Sequence, residues 1–143
     1  MLRKTRMILV TAIATMVVAA GLAVPAQASV STTSTTSFHV QTGNTFTTGT
    51  LTFYNRSVRV LGYTRATAGA CRQTVVETRG SSHVLLGVGK TANGCAGTSS
   101  WDFPFDFTVQ ADRPGGAAYV WVCLFGGLPN STPKELLCRW FWP

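Results

Sequence analysis

At 143 residues, of which only 12% are charged, the chain is too short for two full cores and too apolar to remain a solvated polymer. Its formal net charge of +7 is carried mostly by arginines scattered along the sequence, which argues against the clustered basic footprint of a specific nucleic-acid site. Two histidines and five carboxylates leave little material for metal or acid–base chemistry.

Arg3, Lys4 and Arg6 precede an apolar run from Met7 to Val24, and Pro25-Ala26-Gln27-Ala28 supplies the small-x-small pattern that a signal peptidase reads. Residues 1–28 are therefore expected to be a secretory signal cleaved after Ala28, with the membrane met only during export. A retained anchor is the competing reading, opposed by Pro25 and the cleavage pattern. The expected location is extracellular, and the 115 residues from Ser29 onward carry nine basic and five acidic groups, a net +4. Residues 29–36, Ser-Val-Ser-Thr-Thr-Ser-Thr-Thr, are too polar to bury and are expected to form a disordered leader to one domain over 37–143, ordered from about Phe38.

Period-two alternation then runs almost throughout, and no stretch carries a sustained helical period. Phe38 and Val40 alternate with His39 and Gln41 up to the Gly43-Asn44 break. Leu51 and Phe53, then Val58 and Val60 beyond Asn55-Arg56, read as a hairpin. Cys71 to Thr78 and His83 to Lys90 read as a second hairpin across Arg79-Gly80-Ser81-Ser82. From Trp101 to Val109 every odd position is apolar and every even one is Asp, Pro or Thr. Pro104 has no N–H to give a ladder, so that strand is expected at an edge or bulged. Ala118 to Phe125 is apolar on both faces and is expected to be central, with Glu135 to Trp142 as its hairpin partner. About seven to eight strands with no helix predict an all-β fold, a single antiparallel β-sandwich, with a β-barrel as the alternative.

All four cysteines follow the signal sequence, and an even count in an oxidising compartment predicts two disulfides. Cys123 and Cys138 flank a turn-rich segment centred on Asn130 and Ser131, so a hairpin sets them opposite each other. Cys71 with Cys95 follows by elimination. In that hairpin register Trp140 falls opposite Trp121 and Trp142 opposite Tyr119. Their shared face, with Cys138, is expected to be core, which leaves Arg139 and Phe141 on the other. Trp101 and Trp121, on apolar faces, are likewise expected to be core.

Two segments, Thr48 to Thr78 (TGTLTFYNRSVRVLGYTRATAGACRQTVVET) and Phe105 to Leu124 (FDFTVQADRPGGAAYVWVCL), resemble small, mostly uncharacterised secreted proteins of high-GC Gram-positive bacteria. The resemblance implies export and a β-sandwich. Its residues belong to strands and turns, so it implies no activity.

No cysteine pair has metal-ligand spacing, and no cofactor motif is present. Asp102 and Asp106 share a face but stand ~13 Å apart on one strand, outside either glycosidase geometry. A non-catalytic protein that binds extracellular polysaccharide or another protein is the expected function, with Trp140, Phe141, Trp142, Arg139, Tyr54 and Tyr63 as candidate contacts. A first alternative is an inhibitor of secreted proteases that presents Leu128, Pro129, Asn130, Ser131 and Thr132 on a disulfide-braced loop. Its length and two bridges resemble those of bacterial subtilisin inhibitors. A second is an envelope-active antibacterial protein, which would fit the positive charge.

Overall fold

The computed structural model describes residues 33–143, so the expected signal sequence, 1–28, lies outside the described residues, as do 29–32 of the expected leader. Nine strands succeed one another with no helix among the described residues: β1 (Ser34–Thr42), β2 (Thr45–Tyr54), β3 (Ser57–Ala66), β4 (Cys71–Arg79), β5 (Leu85–Lys90), the two-residue β6 (Gly94–Cys95), β7 (Trp101–Gln110), β8 (Tyr119–Gly127) and β9 (Lys134–Phe141). They build two antiparallel sheets in the orders β1-β2-β3-β7 and β5-β4-β8-β9, with β6 also paired to β4. This is the expected sandwich and not a closed barrel. Pro104 sits on an edge strand, β7, and β8 is central, both as alternation and composition predict.

β1 begins at Ser34, so residues 34–36, expected in the leader, are strand. The reason is the length of β2, which offers Phe53, Thr52 and Leu51 as partners to Ser34, Thr35 and Thr36 on a pleated surface that suits threonine. The Thr36 hydroxyl also donates to the Trp142 carbonyl at 2.7 Å and ties β1 to the segment after β9.

Alternation turns Phe38, Val40, Leu51, Phe53, Val58, Val60 and Val109 of the first sheet toward Val76, Val120, Val122 and Leu124 of the second, and all are almost wholly buried. Each such side chain contributes about 1.5–3 kcal/mol of transfer free energy. One row across the first sheet reads Phe38, Gly49, Gly62, Phe105. The glycine pair is required there, because a Cβ on Gly62 would lie 2.1 Å from the Thr48 carbonyl oxygen and one on Gly49 2.1 Å from that of Leu61. The flanking phenylalanines supply the side-chain volume of that row. Toward the β1–β2 turn the core becomes polar: the buried hydroxyls of Thr47, Thr74 and Thr64 chain together at 2.7 and 2.6 Å across the two sheets. None is left without a partner.

Cys123 bonds to Cys138 between β8 and β9, and Cys71 to Cys95 between β4 and β6, both as expected. The β8–β9 register pairs Trp121 with Trp140, also as expected, and Val120 with Phe141. Two expectations are corrected. The ladder ends at Phe141, so Trp142 does not reach Tyr119 and stands 59% exposed. The face that carries Cys138 and Trp140 is the outer face of the second sheet, whereas Phe141 and Leu137 pack on the core, Phe141 edge-on to Phe38 at 6.0 Å. Both sides of β8 are apolar, so alternation alone cannot say which one meets the other sheet.

Candidate functional site

The outer face of the second sheet carries an aromatic layer. Tyr119, Trp121, Cys123 and Phe125 of β8 lie across from Arg79, Glu77, Val75 and Gln73 of β4 on one side. On the other, Trp140 and Cys138 of β9 stand opposite Trp121 and Cys123. The two indoles stack, with centroids 4.4 Å apart and planes 21° apart, while the Arg79 guanidinium lies 5.3 Å from the Trp121 ring. Tyr119 meets the Trp140 ring edge-on at 4.9 Å. Trp121 is therefore held between a cation and a second indole, an arrangement that favours the positive charge over the ring face.

His83 completes this layer from the turn before β5. Its ring packs on Tyr119 at 5.4 Å and Trp140 at 6.4 Å, and its Nδ1 is hydrogen-bonded to the Tyr119 hydroxyl. Its backbone sits at φ 63°, in the left-handed region that a side chain rarely occupies. Its carbonyl accepts from Arg79 Nη1 at 3.0 Å, and Arg79 also pairs with Glu77. Beside this fixed cluster, Val84, Leu85 and Val88 on and just before the edge strand β5 are 55%, 48% and 54% exposed. The sequence marks the turn at Arg79-Gly80-Ser81-Ser82, but the folding of His83 back over β8 depends on the β4–β8 register, which no local pattern gives.

The other expected contacts are dispersed. Tyr54 and Tyr63 are exposed on the outer face of the first sheet, about 20 Å apart along β2 and β3 from the strand rise. Tyr63 there meets Phe46, over which the Arg65 guanidinium lies at 5.5 Å. Arg139 is exposed on β9, Phe141 is core, and Trp142 stands apart from Trp140's stack. Trp101, expected in the core, is 62% exposed: it opens β7 at the end of the sandwich, where no layer covers it. The structure thus gathers Trp140 with Trp121, Tyr119, Arg79 and His83, and leaves the other five candidates elsewhere.

Leu128 to Thr132 forms a closed turn. The Ser131 hydroxyl donates to the Leu128 carbonyl at 2.7 Å and accepts from its N–H at 2.9 Å, and Asn130 sits at φ 64°. A protease cleft takes an extended segment as an added strand, and this loop does not offer one. Asp102 and Asp106 are each gripped through both oxygens, by Arg65 and Arg59 respectively. Those hydrogen bonds hold the Asp106 carboxyl below its usual pKa. Cys123, Glu135 and Cys138 come within 4.8 Å of one another, but both sulfurs are spent in the disulfide. No protein family, curated protein or solved structure matches this chain.

Proposed function

We propose that this chain is a secreted, non-catalytic protein that acts by binding a protein partner through the outer face of its second sheet. The observation that carries this reading is the pre-set Trp121–Trp140–Arg79–His83 cluster beside the exposed Val84, Leu85 and Val88 of an edge strand. Tryptophan, tyrosine and arginine dominate the residues that anchor protein interfaces, and an open strand edge accepts further backbone pairing. A sugar ring stacks on an open aromatic face, and Trp121 has neither face open, which weakens a polysaccharide reading at this place. The non-catalytic reading is supported by the side chains that would do chemistry. Four of the five carboxylates in the described residues are paired with arginine, and both histidines are hydrogen-bonded to side chains.

Photo-crosslinking tests the reading. A photoreactive residue at Val88 is expected to give one discrete adduct in the culture fluid of the producing cells. The adduct should be absent when the probe stands at Thr108, on the other sheet, and lost on adding Leu85→Glu. Retention on insoluble polysaccharide that disappears with Trp140→Ala and Trp142→Ala, with no adduct at Val88, would return the partner to carbohydrate. Stoichiometric inhibition of a subtilisin-like protease would return it to the Leu128–Thr132 loop.

A further inference from the structure

The two sides of the sandwich are closed differently. Where β1 faces β9, Phe38 and Phe141 pack ring against ring. Where β7 faces β5 and β6, the inward phenylalanines Phe103, Phe105 and Phe107 are only partly buried. The strands opposite them carry glycine: a Cβ on Gly94 would stand 2.6 Å from the Phe103 ring, and one on Gly89 2.8 Å from that of Phe107. Phe103 and Phe107 thus lie directly on backbone, and Phe105 between them faces a gap.

One extra residue makes the gap. Val75 pairs with Lys90 and Arg72 with Gly94, so Thr91, Ala92 and Asn93 stand across from Gln73 and Thr74 alone. A three-against-two mismatch bows the strand outward, and such bulges re-aim a chain beside a site. The bowed segment is pinned. The Thr91 N–H donates to the Thr74 carbonyl at 3.0 Å, its hydroxyl accepts from the Thr74 N–H at 3.1 Å, and its carbonyl accepts from Gln73 Nε2 at 2.6 Å. The Cys71–Cys95 bridge holds the far end of the bow to β4. What results is a preformed cleft of about 470 Å³, lined by the three phenylalanines, Thr91, Ala92 and Lys90, whose register opposite Val75 starts its side chain on the outer face at the free edge of β5.

We propose that this cleft binds a small planar aromatic acid, its ring among Phe103, Phe105 and Phe107 and its carboxylate toward Lys90. The volume falls in the range of small-molecule sites, and aromatic walls with a few polar or charged groups are their usual lining. Edge-to-face contact with phenylalanine suits a flat ring. The sign of the charge follows from the rim. Asp106, also at the cleft, is neutralised by Arg59, whereas Lys90 has no carboxylate within ion-pair distance among the described residues. The phenylalanines of this cleft lie outside the protein-binding face, so either can fail without the other.

Titration of the isotope-labelled protein with 2-naphthoate tests it. Saturable amide shifts are expected at Thr91, Gly94, Phe105 and their neighbours. Ala92→Trp, at an exposed position, should plug the mouth and abolish them, with an unchanged melting temperature as the folding control. Lys90→Glu should weaken 2-naphthoate about fivefold and leave the neutral 2-naphthalenemethanol unaffected. Shifts that do not saturate or spread over both sheets, or wild-type affinity in both variants, would overturn the proposal. Octanoate binding more tightly than 2-naphthoate would overturn the aromatic assignment.

Discussion

His83 is held in the left-handed region by what it touches: two rings, a tyrosine hydroxyl and an arginine that reaches its carbonyl. A side chain there costs about 1–2 kcal/mol that glycine does not incur. His83→Gly removes contacts and strain together, and His83→Ala removes the contacts and keeps the strain. Alanine is therefore expected to lower unfolding free energy by about 1 kcal/mol more than glycine, read from urea midpoints at a common slope; equal losses would show that the turn relaxes. Asp106 offers a second test, in pH. Hydrogen bonds from Arg59 depress its folded pKa, so the pair stabilises the fold above the unfolded carboxylate value of about 3.9 and loses that effect as pH falls through the folded value. The pair is half exposed, so the contribution is small. Asp106→Asn is expected to melt below wild type at pH 7 and to converge with it by about pH 2. A gap that persists in acid would assign the loss to packing.

Among the strands, β2 and β3 depend on their glycine pair as much as on their valines. Gly62→Val would drive a Cβ into the Thr48 carbonyl in the middle of the ladder. It is expected to cost at least about 1–3 kcal/mol, seen as a lowered thermal midpoint and as faster amide exchange from Thr47 to Phe53. Exchange that accelerates only at the chain ends would show that the ladder absorbs the extra carbon. The elements themselves were largely legible. Gly43-Asn44 marks the end of β1, Asn55-Arg56 marks the β2–β3 hairpin, the Trp101–Val109 alternation marks β7, and the Cys123–Cys138 hairpin gives its own register. The facing of β8 was not legible. Val120, Val122 and Leu124 on one side and Tyr119, Trp121 and Cys123 on the other are equally apolar, and only the position of the first sheet decides between them. The same ambiguity hid the candidate site, because Trp140 and Trp121 read as core when their layer is in fact the outer one.

At the scale of the whole molecule, two sheets, two bridges and a pinned edge divide the chain into a closed side and an open one. The single-residue mismatch between Lys90 and Gly94 that opens the β7 side leaves no mark in sequence, because Thr-Ala-Asn between strands reads as an ordinary turn. The Cys71–Cys95 bridge has a bearing on how the chain would withstand proteolysis. The segment it encloses includes the exposed turn Ser81 to Val84, the kind of surface tip where proteases cut first. A cut there leaves two pieces still joined through the bridge. The stretch from β5 to β6 stays tethered to β4 through the bridge, and the fragments separate only after reduction. A nicked molecule can therefore keep its sheets and its cleft, and the exposed turn becomes a place where the chain can be broken without losing the fold.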